Sequence, residues 1–136
     1  MQIKADGQNY APKGISSPVC GKGEFPVGVI GLDHGHIYGM SNGLTEAGAT
    51  IDKVYDSNKE KLDEYCRRYP GAKPAASPEE ILDDDRIKMI VSASIPSERC
   101  DLGLKAMSRG KDYFTDKPPL INLEQLELAK AAVRKY

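Results

Sequence analysis

Three short stretches of this chain carry residue types and spacings that can do chemistry. Gly31-Leu32-Asp33-His34-Gly35-His36 follows an apolar run and lines up with the phosphate-cradling pattern G-x-G-x-x-G at its first glycine, with Asp33 and His36 in the other two glycine slots. In that pattern the second glycine lets backbone approach a pyrophosphate and the third brings helix against strand. A carboxylate in the second slot repels phosphate unless it turns away or is neutralised by the helix N-terminus or by His34. On spacing alone the stretch fits either a phosphate loop or any tight turn from strand to helix.

Asp56 stands about 20 residues beyond that loop, where an acid accepts hydrogen bonds from an adenosine ribose hydroxyl. A solvated or helix-capping Asp at a strand end is the other reading. The same carboxylate would repel a ribose 2′-phosphate, which favours NAD over NADP, with Lys59 nearby but on the following helix. The chain's two histidines, His34 and His36, fall in the loop itself. No Cys or carboxylate cluster in the sequence completes a four-ligand metal set around them, so no metal is assigned. They read as polar lining at the phosphate or nicotinamide end, or as turn packing. In Asp116-Lys117-Pro118-Pro119 a lysine is stiffened by two prolines directly after a strand. Projected into a crevice, its ammonium would hydrogen-bond a substrate hydroxyl and stabilise alkoxide character; an ordinary surface lysine has the same spacing.

These residues need a frame, and the hydrophobic pattern supplies one. Phe25 to Gly31 is an apolar run of the kind buried on both faces of a parallel sheet, and His36 to Ala47 reads as a helix stopped by Gly48. Gly39, Ser41 and Gly43 would let that helix lie close on the sheet. Ala49 to Tyr55 is a second strand. Ser57 and Glu60 predict a capping box for a helix whose Leu62, Tyr65, Cys66 and Tyr69 recur on one face before Pro70. Ala72 to Ala76 is a brief strand whose Pro74 restricts it to a sheet edge, and Ser77 with Glu80 predicts another capping box. Lys88 to Ser94 is the clearest buried strand. Pro96 to Arg109 follows as a helix with Cys100, Gly103, Leu104 and Met107 on one stripe, ended by Gly110. Lys111 to Thr115 is a fifth strand, and Asn122 with Gln125 opens a last helix running to Tyr136. Strands alternating with helices mean βαβ units, hence an α/β fold of three αβα layers: a doubly wound, Rossmann-like parallel sheet of order 3-2-1-4-5. Ligands of such sheets bind outside the carboxyl ends of the strands, where all the stretches above lie.

Composition narrows the function classes. With 136 residues, 40% hydrophobic and 29% charged, the chain suits one globular domain over residues 25–136 behind an extended lead-in over 1–24. Nineteen Lys and Arg against 20 Asp and Glu leave no basic excess for nucleic acid. No secretory apolar run and no bilayer-length stretch occurs, so no membrane partner is expected. Three widely spaced cysteines predict reduced thiols in a cytoplasmic protein, with Cys66 and Cys100 as small buried hydrophobes.

The run Gly110-Lys111-Asp112-Tyr113-Phe114-Thr115-Asp116-Lys117-Pro118-Pro119 resembles the G-K-H-V-x-x-E-K-P signature of the glucose-fructose oxidoreductase, inositol dehydrogenase and MocA-like (Gfo/Idh/MocA) oxidoreductases, and the likeness extends over Pro26 to Tyr136. The resemblance implies that Gly31, Leu32, Asp33, His34, Gly35 and His36 form the phosphate loop in an Asp-His variant and that Asp56 binds the adenosine ribose. It implies further that Ser94, Ile95 and Pro96 lie along the cofactor, and that Asp116 and Lys117 stand near the nicotinamide and substrate, with Lys117 catalytic. Asp116 replaces the usual Glu, and Cys100 stands where many members have His. Members continue into an α/β domain that supplies substrate contacts. The expectation is thus a dinucleotide-binding domain of an oxidoreductase acting on a sugar or polyol, inactive without that second domain, with a small-molecule substrate only in its company and an apolar face prone to self-association. The alternative, to which Asp33 lends support, is a non-catalytic nucleotide-binding or regulatory module.

Overall fold

The structure, a computed structural model, describes residues 17–136. Of the lead-in expected over 1–24, the part before residue 17 lies outside the described residues. Five strands form one all-parallel sheet: β1 (Pro26–Ile30), β2 (Thr50–Tyr55), β3 (Lys73–Pro74), β4 (Met89–Ser92) and β5 (Asp112–Thr115). Their order is β3-β2-β1-β4-β5, the doubly wound order that the alternation of elements predicts. Winding reverses between β1 and β4, which opens a crevice at their carboxyl ends.

The helices are α1 (His36–Glu46), α2 (Lys59–Arg68), α3 (Pro78–Leu82), α4 (Pro96–Ser108) and α5 (Leu123–Lys135). Side chains alternate across each strand, so two separate cores form. Val27, Val29, Ile51, Val54 and Val91 meet Ile37 of α1 and Tyr65 of α2 on one face. Ile30 and Ile90 meet Ile81 and Leu82 of α3 and Ala106 of α4 on the other. Each such side chain, removed from water, contributes about 1.5–3 kcal/mol before the entropy of ordering it. The three-layer arrangement follows from this two-sided burial.

Local signals hold with instructive exceptions. Asn58, not Ser57, caps α2: its side chain accepts from the Glu60 and Lys61 amides, so the Ser57–Glu60 capping box is replaced by an Asx cap one residue later. Ser77 caps α3 as expected, while Glu80 reaches one residue further back, to the Ala76 amide. Asn122 caps α5, and the Gln125 side chain accepts from the Ile121 amide. On α1 the buried small residue is Ser41, bonded to Tyr65 Oη at 2.7 Å, whereas Gly43 faces open space. On α4 the interior positions are Arg99, Cys100, Gly103 and Ala106, so the stripe predicted through Leu104 and Met107 is rotated toward an arginine. β3 is only two residues long and lies at the edge, where Pro74 is tolerated. Among the described residues no helix is long and apolar enough to cross a membrane.

Candidate cofactor-binding site

The turn after β1 is built around Gly31. Its φ of +86° lies in the left-handed region, and a Cβ there would sit 2.7 Å from Ser94 Cβ, so both conformation and space demand glycine. The neighbouring strands hold the turn: Gly31 donates to Tyr55 O at 3.0 Å and accepts from Ala93 N at 3.1 Å, and His34 N donates to Ala93 O at 3.0 Å. Leu32 points into the core and offers the crevice only backbone. Among the described residues the Asp33 and Gly35 amides donate to no protein acceptor, and they precede α1 at its positive end.

Asp56, at the end of β2, spends its carboxylate on this turn and on its own. One oxygen accepts from Leu32 N and the other from Asn58 N, each at 2.7 Å. The Asp33 carboxylate, the residue least welcome in a phosphate loop, is held by Lys61 of α2 at 2.6 Å. Neutralisation therefore comes from a lysine one turn into the next helix rather than from His34 or the α1 terminus. In front of these residues lies a cleft of about 360 Å³ whose walls include Gly31, Asp33, Asp56 and Ser94, with Leu82 and Leu102 on the α3 and α4 side.

At the other end of the same turn stand the two histidines and the loop after β5. His36 Nδ1 lies 3.0 Å from Asp116 Oδ1, and Lys117 Nζ lies 3.3 Å from the same nitrogen. His34 Nδ1 accepts from the His36 amide at 3.2 Å, so its 3.3 Å approach to Asp116 Oδ2 sets lone pair against lone pair. Asp116 is buried. Burial alone would raise its carboxyl, but the hydrogen bond from His36, the Lys117 amide and the positive charge of Arg99 outweigh it and hold the group below its ordinary value. Arg99, itself 3% exposed, ties this end together. Its guanidinium donates to Ser94 O at 2.7 Å and Pro118 O at 3.2 Å and lies 3.6 Å from Asp116 Oδ2. Pro118 follows a cis peptide bond. Ile95 and Pro96 start α4 beside Ser94, Ile95 half-exposed and Pro96 at the first helical position.

All twelve residues singled out from the sequence thus fall along the carboxyl edge of the sheet, with Asp56 and Lys117 bonded to opposite ends of one turn. Two contributors went unseen. Lys61 carries no signal beyond an unfavourable lysine in a first helical turn, and Arg99 shows itself only as an arginine beside the expected apolar stripe. Asp116 completes, with His34 and His36, a group of three ligand-capable atoms within 4.8 Å of one another, a convergence that residues 80 apart could not announce. Cys100 is buried and points at Gln125 O of α5, so its slot is filled by packing between helices.

The model of the Gfo/Idh/MocA oxidoreductase family, NAD-binding Rossmann fold, matches residues 25–136. The chain belongs to this family. This Gfo/Idh/MocA domain is 29% identical over 108 residues to scyllo-inositol 2-dehydrogenase (NAD(+)) of Bacillus subtilis (strain 168), a match covering 79% of the chain and 32% of that protein. A solved structure from Erwinia carotovora atroseptica SCRI1043, named only provisionally as an oxidoreductase, superposes with a TM-score of 0.79 at 38% identity, covering 82% of this chain and 33% of that one. KijD10, a 3-ketoreductase from Actinomadura kijaniata solved with NADP and TDP-benzene, shares the fold with a TM-score of 0.70 at 18% identity, covering 82% and 34%. The Gfo/Idh/MocA domain therefore spans about a third of the length of these proteins. It is a dinucleotide-binding, NAD(P)-type Rossmann domain of an oxidoreductase family.

Proposed function

We propose that this domain holds NAD for the oxidation or reduction of a sugar- or polyol-like substrate, in company with a second domain that supplies the facing wall of the crevice. The observation that carries the reading is the placement of Asp56 and Lys117 at the two ends of the Gly31–His36 turn, each hydrogen-bonded to it. A nucleotide laid along the turn would rest its pyrophosphate on the Asp33 and Gly35 amides and its adenosine ribose beside Asp56. Its adenine would enter the cleft between Leu82 and Leu102, beside Ser94 to Pro96, leaving the nicotinamide end toward Asp116 and Lys117. The residues fit such a group: Gly31 is obligatory where the backbone must come close, and the Asp33 charge is already compensated by Lys61.

The nicotinamide supplies the hydride chemistry when the dinucleotide is bound. The chain's own part is to orient it and to present Lys117, whose ammonium is 79% exposed and therefore available to a substrate oxygen. Asp56 supports NAD over NADP, since a 2′-phosphate beside a carboxylate is repelled. A non-catalytic module drew its support from Asp33, and the Lys61 ion pair weakens that support. Scyllo-inositol dehydrogenase among the relatives supports a polyol substrate. Exposed Leu123, Val133 and Tyr136 on and after α5, with Phe114 on the β5 edge, support self-association. Three free cysteines support a reducing, cytoplasmic compartment.

The test is a titration of the folded chain with NADH and NADPH by fluorescence. Saturable NADH binding, at least about tenfold tighter than NADPH, is expected from one carboxylate–phosphate contact at roughly 1.4 kcal/mol. No response to either at millimolar concentration would overturn the reading.

A further inference from the structure

The Asp116 carboxylate is where the positive and protonable groups of the site meet. His36 Nδ1 is 3.0 Å away, Arg99 3.6 Å and Lys117 Nζ 3.8 Å, and Lys117 Nζ is also 3.3 Å from His36 Nδ1. With His34 the set has the composition of a metal site. The charge balance goes the other way: Arg99 and Lys117 already give this carboxylate two cations, and a divalent ion would be a third set of positive charge on a single negative one. The cation that this arrangement manages is a proton.

One atom decides how. His36 Nδ1 faces both the Asp116 oxygen and the Lys117 nitrogen, and it cannot carry a proton toward each. Protonated, it donates to Asp116 and offers Lys117 no acceptor. Unprotonated, it accepts from the Lys117 ammonium. The ring's far side is open, for His36 is half-exposed, so Nε2 reaches solvent. We propose that His36 is the proton-relay partner of Lys117, carrying the substrate's hydroxyl proton from the lysine to water.

The proposal rests on the reading of Lys117 as the substrate-facing lysine. In alcohol oxidation the hydroxyl proton passes to Lys117 Nζ as the O–H bond breaks, and in the same step the Lys117 ammonium gives the proton it holds toward His36 to the unprotonated Nδ1. The carbinol C–H bond breaks with its electron pair leaving as hydride to the oxidised nicotinamide dinucleotide, and the C=O bond forms. The Asp116 carboxylate balances the imidazolium so formed, and Nε2–H is lost to water. Solvent exchange on the ring restores the starting tautomer, and the sum is alcohol plus oxidised dinucleotide giving carbonyl, reduced dinucleotide and one proton. His34, whose Nδ1 is occupied by the His36 amide, takes no part. Asp116 and Arg99 are positioning residues.

Because the chain has two histidines, its ring nitrogens can be assigned from the single variants His34→Gln and His36→Gln in long-range proton–nitrogen spectra of the unliganded protein. Lys117→Met is expected to move the His36 ring proton from Nε2 to Nδ1, where Asp116 becomes its acceptor, while leaving the His34 nitrogens in place. A histidine held by Asp116 alone would keep its tautomer. His36 nitrogens unchanged in Lys117→Met would overturn the relay. So would micromolar Zn2+ binding that His34→Gln abolishes. If His36→Gln does not fold, the Lys117→Met spectra decide alone. Failure of NADH to bind sinks the dinucleotide reading, and the catalytic use of the relay with it. The spectra, taken without dinucleotide, sink or support the proton sharing itself, which keeps the two failures apart.

Discussion

Replacing Gly31 by alanine tests the hinge of the site in isolation from its chemistry. At φ +86° an L-residue costs about 1–2 kcal/mol. The added Cβ, 2.7 Å from Ser94 Cβ and 3.1 Å from Ser94 Cα, adds an overpacking cost of about 1–3 kcal/mol, because strand-bonded backbone on both sides leaves little room to retreat. The total is about 3 kcal/mol, which for a domain of this size lowers Tm by about 10 °C. Gly35→Ala is the internal control: its φ of −60° is helical and nothing lies within 4 Å of a Cβ there. It should be neutral or stabilising by about 0.5 kcal/mol. Urea and thermal unfolding of both variants, with NADH titration of each, give the answer. A Gly31→Ala chain within about 1 kcal/mol of wild type would refute the account of the turn, since neither strain nor contact could then be present as described.

Lys61→Met should weaken NADH binding about tenfold by freeing the Asp33 carboxylate toward phosphate, and Asp33→Asn in the same chain should restore it, both read by the same titration. Arg99→Met should destabilise by about 3–5 kcal/mol in urea unfolding, because it strands a buried carboxylate and two backbone carbonyls. Tyr65→Phe leaves Ser41 Oγ without its buried partner and should cost about 1–2 kcal/mol. Asp116, whose carboxyl sits below its ordinary value in the folded chain, adds stability that is present above the usual carboxylate range and is lost as pH falls through the folded value. The stability gap between wild type and Asp116→Asn should therefore shrink between about pH 5 and pH 2; a gap independent of pH would contradict the charge assignment.

Strand order was legible because each apolar run was short and bounded by glycine or a cap, and because Pro74 tolerates only an edge. So were the positions of Gly31, Asp56 and Lys117, since a parallel sheet brings the ends of its strands to one rim. What escaped were side chains whose partners are remote in sequence. Lys61 reaches Asp33 across 28 positions and His36 reaches Asp116 across 80, and no local periodicity encodes either. The shift of the α2 cap from Ser57 to Asn58 is a competition between two adjacent residues of similar capping strength, settled by Asp56 holding the Asn58 amide. Arg99 was hidden by its type: an arginine on a buried face looks like an error of phase until the carbonyls of two loops are seen around it.

On the proposed reading Asp56 does two jobs with one functional group, and that would constrain how this domain can change its preference for nucleotide. Its oxygens stitch the first crossover turn to the second, so the group proposed to discriminate against a phosphorylated ribose is also a seam of the scaffold. A lineage drifting toward the phosphorylated cofactor could not simply discard the acid. It would need a neutral acceptor of the same reach, such as asparagine, before any cation was added nearby, or the turn would lose its anchor together with its selectivity.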